Sequence, residues 1–288
     1  MSTTTPRPVP RTAPAAQAQQ EPPAPVLDMG TYARTTCRVR VDDLDLDRFR
    51  EHPLPADVLH SVHLLSELET HSILFLRDLL VTPSHADAEV SAFLTMWNYE
   101  EYGHGLALDA VLRAHDLDPR DGEERLRAGW RSRLAPVRRS LLANAVGEDF
   151  VALHLTWCLV AERVSEAAYV SLAARSGDPV LTEVLTRIAA QERRQGDWCA
   201  AQARIRLAQS RSAQRVTRAV MRTSFSAPGA GVLAPADTRH LARHLFGDAA
   251  GLATARRIDA EVDALPGLAG LRVVERARVK SLGWRSLR

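Results

Sequence analysis

The feature that most restricts this chain is a set of four long stretches of helical periodicity, at about 55–81, 87–115, 148–175 and 179–208. Apolar residues recur along them at i, i+3, i+4 and i+7, and no stretch shows the sustained alternation of a strand. Their limits carry chemical punctuation: Thr82-Pro83, Asp118-Pro119, Gly147 and Gly177-Asp178-Pro179. In the last junction Gly177 suits a helix C-terminus, Asp178 an N-cap and Pro179 a first helical turn. At 1.5 Å per residue each helix is about 40–45 Å long, which suits a large bundle. The expected fold class is all-α, a four-helix bundle with additional crossover and C-terminal helices.

The bundle accounts for residues 54–208, with a crossover at 116–147. A Pro/Ala/Gln-rich tail at 1–28 has too few apolar residues to offset its ordering entropy and reads as disordered. Residues 29–53 form a lead-in segment. Residues 209–288 read as a C-terminal helical appendage, periodic at Ala236–Phe246 and Gly251–Leu265. A net charge of +2 gives no bulk electrostatic reason to expect a nucleic-acid partner. No apolar run approaches the roughly 18 residues of a membrane span. Cys37, Cys158 and Cys199 are odd in number and far apart, which argues against a disulfide framework and for a reducing, cytoplasmic setting. Phosphate-binding glycine loops, nucleophile elbows and cysteine–histidine zinc patterns are missing from the sequence.

Each long segment places one glutamate on its apolar face. Glu69 lies within one or two turns of Val62, Leu65, Ile73, Leu76 and Leu80, whereas Glu67 shares its side with His60, His63, His71 and Asp78 and is expected to be solvated. Glu101 and His104 are i and i+3, hence neighbours on one surface with Leu94, Trp97 and Leu108. Glu162 shares a stripe with Leu155, Cys158, Leu159 and Tyr169. Glu192 lies over Leu185, Ile188, Ala189 and Cys199, with Gln195 three residues later. Four carboxylates buried together would repel one another unless protonated or shared by a cation. A pair of iron or manganese ions resolves that conflict, since carboxylate and imidazole suit them as ligands. Di-iron bundles use one Glu from each of two helices and Glu-x-x-His from the other two. Glu69 and Glu162 fill the single roles, Glu101 and His104 form one complete pair, and Glu192 with Gln195 forms the second with its histidine replaced. The steps from Glu69 to Glu101 and from Glu162 to Glu192 are nearly equal, as if one helical hairpin were repeated. The competing reading pairs these glutamates with Arg163, Arg193 or Arg194.

The segment Trp97-Asn98-Tyr99-Glu100-Glu101-Tyr102-Gly103-His104-Gly105 is similar to the Trp-x-x-Glu-Glu-x-x-His-Gly motif of the soluble acyl-carrier-protein desaturases, a branch of the ferritin-like superfamily. Ala161-Glu162-Arg163 resembles that family's Gln-Glu-Arg, and Ile188–Gln195 its Ile-Ala-x-Asp-Glu-x-x-His. The resemblance covers about residues 54–208. It implies a ferritin-like bundle with two iron ions (manganese possible at one position) held by Glu69, Glu101, His104, Glu162 and Glu192, with O2 as co-substrate. It also implies oxidation of an acyl chain on acyl carrier protein, electrons from an external donor such as ferredoxin, and a homodimer. Gln195 departs from the pattern: its amide offers an oxygen but no imidazole nitrogen, making it a weak ligand or none. An amine or amino acid is an alternative substrate, and a degenerate site without turnover is the alternative outside enzymology.

Arg193–Arg222 holds eight arginines against one acid, Asp197. Arg211, Arg215 and Arg218 are the residues on that stretch expected to meet an acidic carrier protein. A coding bias toward arginine, with Lys280 the one lysine, is the plainer account of the stretch. Trp97, Trp157, Tyr169, Cys158 and Cys199 are expected to pack the core.

Overall fold

The computed structural model describes residues 28–119, 140–141, 143–225 and 229–282. The expected disordered tail, apart from Asp28, and the central part of the crossover lie outside the described residues. Beside helical residues at 140–141 and 143–146, ten α-helices and one 3-10 turn (Pro83–Ala86) have their bounds among the described residues, which hold no strand, so the chain is all-α. In chain order the helices are α1 (Met29–Thr35), α2 (Arg48–Glu51), α3 (Ala56–Leu79), α4 (Ala88–Arg113), α5 (Asp149–Ser176), α6 (Pro179–Gln209), α7 (Arg211–Ser224), α8 (Pro235–Phe246), α9 (Ala249–Asp263) and α10 (Val273–Leu282).

Local chemistry sets the limits of the long helices. Asp87 caps α4 by accepting from the Glu89 and Val90 amides, and Asp178 caps α6 by accepting from Val180 and Leu181. Such caps contribute about 1 kcal/mol each. Gly177 ends α5 in the left-handed conformation, φ 62°, where a side chain would be strained.

The helices α3 and α4 form one antiparallel hairpin and α5 and α6 a second. Contacts of α3 with α5 and of α4 with α6 close the four into a bundle. Its interior has two apolar parts. One gathers Phe93, Leu94, Trp97, Leu155, Leu159 and Trp198; the other gathers Val62, Leu108, Leu112, Tyr169, Leu185 and Ile188. Between them, at mid-length of α3, α4 and α6, runs a layer of buried polar side chains. The helix α7 packs on α5, α8 reaches α3 and α5, and α9 lies on α5 with α10 against it.

Two expectations for α3 need correction. Glu67 is buried, and its carboxylate is paired with His63 Nε2 at 3.1 Å. Conversely, Ile73 and Leu80, assigned to the apolar face with Glu69, are 54% and 51% exposed. The covered sector of α3 is rotated toward its neighbours on both sides, so a stripe drawn from one residue misplaces its flanks.

Candidate metal centre

The polar layer brings Glu69 from α3, Glu101 and His104 from α4 and Glu192 from α6 into one buried group, whose ligand atoms lie within 4.8 Å of one another. His104 Nδ1 stands 3.2 Å from Glu192 Oε1, 3.5 Å from Glu101 Oε1 and 3.6 Å from Glu69 Oε2. The opposite ring nitrogen, Nε2, is 2.9 Å from Gln191 Oε1. Since Gln191 Nε2 donates to the Cys37 carbonyl, its oxygen must accept from His104 Nε2–H. In neutral His104 the Nδ1 lone pair therefore points at three carboxylates.

Acceptors thus converge on acceptors. Glu69 Oε2, Glu101 Oε1, both oxygens of Glu192 and His104 Nδ1 are buried without hydrogen-bond partners among the described residues. Burial, then repulsion from Glu69 and Glu162, holds Glu101 well above the usual carboxylate range. Burial and then Glu101 do the same to Glu192, and burial raises Glu162. Burial opposes a charge on His104, but Glu101, Glu192 and Glu69 outweigh it and hold the imidazole well above its ordinary value. Protons or a cation must occupy such a cluster, and a dication replaces several protons at once. The residues fit a metal.

The arginines that could have neutralised these carboxylates are engaged elsewhere. Arg163 binds Glu261 and Asp197, Arg193 binds Glu166, and Arg194 pairs with Glu100. Arginine salt bridges therefore do not account for the cluster.

Glu162 lies beside the group but outside the set of four. Its Oε1 accepts from Trp97 Nε1 at 3.2 Å and from Cys158 Sγ at 3.4 Å. Gln195 is fully buried; its Nε2 donates to Glu100 Oε2 at 3.1 Å, and its Oε1 has no partner among the described residues. Cys199 lies in the core beside Cys158. Tyr169, expected only to pack, donates its hydroxyl to Glu69 Oε1.

Sequence reasoning missed Glu100 and Gln191. Each precedes a cluster glutamate, Glu101 or Glu192. Gln191 reaches across to His104 on the facing hairpin, and Glu100 reaches across to Gln195. The repeat seen in the ligand spacing extends to these partners, and that repeat was the signal available. Glu100 is compensated by Arg194 and by the Tyr32 hydroxyl at 2.9 Å.

A cavity of about 230 Å³ adjoins the cluster, lined by Glu69, Glu101 and Glu162 together with Phe75, Trp97, Trp157 and His154. Its outer wall includes Gly229 and Val232. A narrower apolar space of about 70 Å³ reaches Glu69 from the side of α8 and α10. A larger cleft, about 890 Å³, lies between α5, α6 and α9, away from the cluster.

Arg211, Arg215 and Arg218 are exposed on α7. Arg218 spends its guanidinium on the Gly267 and Ala269 carbonyls. Arg193, Arg194 and Arg206 are ion-paired within the chain and Arg204 donates to the Ala264 carbonyl, so the basic stretch offers less free charge than its composition suggests.

No family model matches the chain, and no curated protein or solved structure matches it either.

Proposed function

We propose that this protein is an O2-dependent oxidoreductase with a ferritin-like bundle and a dinuclear iron centre. Glu69, Glu101, His104, Glu162 and Glu192 would hold the ions, with the carbonyl oxygen of Gln195 as a weak donor. The observation that carries the reading is the convergence of buried carboxylates, of which Glu69 Oε2, Glu101 Oε1 and both Glu192 oxygens have no hydrogen-bond partner among the described residues. Iron bound there would supply the reduction of O2 and the oxidation of an unactivated C–H bond.

The chain's own part is binding, proton handling and exclusion of water. His104 gives up the Nδ1 proton on loading while Gln191 fixes its ring. Tyr169 and Trp97 hold one oxygen each of Glu69 and Glu162, leaving the other oxygens for the ions. The apolar and aromatic walls of the cavity would hold a substrate next to the carboxylates and shield that side of it from water. Electrons would come from an external donor such as a ferredoxin.

The substrate proposed from the desaturase resemblance is an acyl chain delivered by acyl carrier protein. A compact organic molecule is the second reading, favoured by one observation: the cavity is smaller than the roughly 300 Å³ at which ordinary ligand pockets begin. Anaerobic titration with ferrous iron, followed by O2 uptake with each substrate class, tests the proposal. Binding near two irons per chain and substrate-dependent O2 uptake are expected. A chain that stays metal-free sinks it, and metal binding without uptake leaves a binding protein. Reversal of Arg211 and Arg215 to glutamate should raise the KM for acyl carrier protein, with iron content unchanged, only if a carrier docks on α7.

A further inference from the structure

The lead-in segment crosses the bundle at the level of the cluster. Tyr32 is buried in one apolar part of the interior and Val39 in the other, so the stretch between them passes over the polar layer that separates the two. It meets the support of the ligands at three places, each one residue before a clustered side chain. The Tyr32 hydroxyl donates to Glu100 Oε2 at 2.9 Å, next to Glu101. The Cys37 carbonyl accepts from Gln191 Nε2 at 3.1 Å, next to Glu192. Arg38 lies against Gly103, next to His104: a Cβ on that glycine would stand 3.3 Å from the Cα and Cγ of Arg38 and 3.4 Å from its Cβ. The missing side chain of Gly103 is what lets the segment lie this close.

The Cys37 contact has chemical content. A carbonyl accepts and never donates, so it holds the NH2 end of Gln191 and turns the amide oxygen toward His104. That oxygen stands 2.9 Å from His104 Nε2 and keeps a proton there. In the neutral ring the lone pair is then on Nδ1, the nitrogen that stands among Glu69, Glu101 and Glu192. Without the Cys37 carbonyl the amide is free to turn over. Its NH2 would donate to Nε2, the ring proton would pass to Nδ1 and be given to a carboxylate, and the lone pair that a metal needs would be lost.

We propose that Tyr32–Val39 is a strap that readies His104 for a metal through Gln191, so that seating of the strap and binding of the metal are linked. The inference rests on the metal-centre part of the reading above and on nothing about O2 or substrate. Cys37, through its carbonyl, and Gln191 are positioning residues; neither is a ligand. Linkage is reciprocal: by whatever factor the seated strap raises metal affinity, the metal favours the seated strap. Tyr32 and Val39 anchor the ends by burial, and Arg187 holds the chain just beyond, donating to the Arg40 carbonyl at 2.8 Å and pairing with Asp43. Between these anchors Cys37 and Arg38 are exposed and are the part that lifts.

The test uses the full chain, manganese as the probe and Gly103→Val, whose new side chain meets Arg38 first and which improves helix propensity. Manganese affinity should fall about tenfold, the lower end of what partners of metal ligands contribute. Gln191→Leu should cost at least as much, and Gly103→Val added to it should cost nothing more, since the relay is already cut. In the wild type, manganese should slow hydrogen exchange at the Thr36–Arg40 amides severalfold. The signature of positioning is the 15N signal of His104 Nε2–H in metal-free protein, slow to exchange in the wild type and faster in Gly103→Val. Gly103→Ala, a milder push, should show a smaller loss of affinity, and with the wild-type exchange it decides the matter if Gly103→Val does not fold. Full manganese affinity in Gly103→Val, losses that add in the double variant, or strap amides indifferent to manganese overturn the proposal, as does an Nε2–H signal indifferent to Gly103→Val. Failure of the metal reading looks different. A wild type that takes up no manganese, with an Nε2–H signal that still responds to Gly103→Val, keeps the strap as holder of the His104 ring and removes the centre.

Discussion

The Nε2 of Gln195 donates to Glu100, which commits the nitrogen end of the amide. With its nitrogen committed, the oxygen is the end left over, buried and without a partner among the described residues. A carbonyl oxygen is a weaker donor to iron than imidazole, so the ion on that side should be the more labile. In Gln195→His, one ring nitrogen can keep the Glu100 contact while the other faces the cluster. Stepwise ferrous titration should then show the weaker site tightened by about tenfold or more, the scale on which changes around metal ligands act; superimposable isotherms would place Gln195 outside the shell. Glu101→Ala should lower ferrous affinity at least tenfold, whereas Glu183→Ala, on the exposed side of α6 beside Arg187, should leave it unchanged. Equal losses in both would mean that metal binds elsewhere. Glu67, which the sequence pattern marked as solvated, is no longer a suitable control, because it is buried against His63.

Between elements, the glycine after His104 has a spatial reason. A Cβ on Gly105 would stand 3.1 Å from Thr70 Cγ2 and 3.5 Å from Glu69 Cβ, so α4 approaches α3 at the residue that carries the carboxylate. Gly105→Leu improves helix propensity by several tenths of a kcal/mol, yet it should push α3 outward and displace Glu69. Lower ferrous affinity and a lower Tm are expected together; unchanged affinity would show that Glu69 can follow the shift. The four long helices were legible to within two residues because Asp87, Gly177, Asp178 and Pro179 mark their ends and their apolar periodicity runs for many turns. The lead-in was not. The helices α1 and α2 have seven and four residues, too short for periodicity to register. The same limit hid the Tyr32–Glu100 bond, whose partners are 68 residues apart. Glu162 was chosen by its stripe, but a stripe does not show which neighbours hold its oxygens, and Trp97 and Cys158 take one of them.

Across the molecule, the cluster ties stability to pH. Glu101, Glu162 and Glu192 are held above the usual carboxylate range and His104 above the usual histidine range, so the metal-free folded chain binds more protons than the unfolded one. The contribution of these groups is whole below the unfolded carboxylate pKa of about 4.3 and is lost as pH rises through their folded values. A dication needs those same groups deprotonated, so its binding strengthens with pH. The gap in Tm with and without manganese, measured by calorimetry, should widen from pH 5.5 to 8; a gap that stays level would uncouple metal from the cluster's protons. The two-hairpin layout also orders events during synthesis. Glu69, Glu101 and His104 belong to the first hairpin and Glu192 to the second. At ribosomal rates of about 5–20 residues per second, the stretch from His104 to Glu192 takes roughly 4–18 s to make. Through that interval the nascent first hairpin carries three of the four clustered side chains and lacks the helices that will bury them. A metal ion captured then would lie open to water and to competing chelators, because the group of four that could hold one is complete only on the return of α6, among the last steps in the birth of this protein.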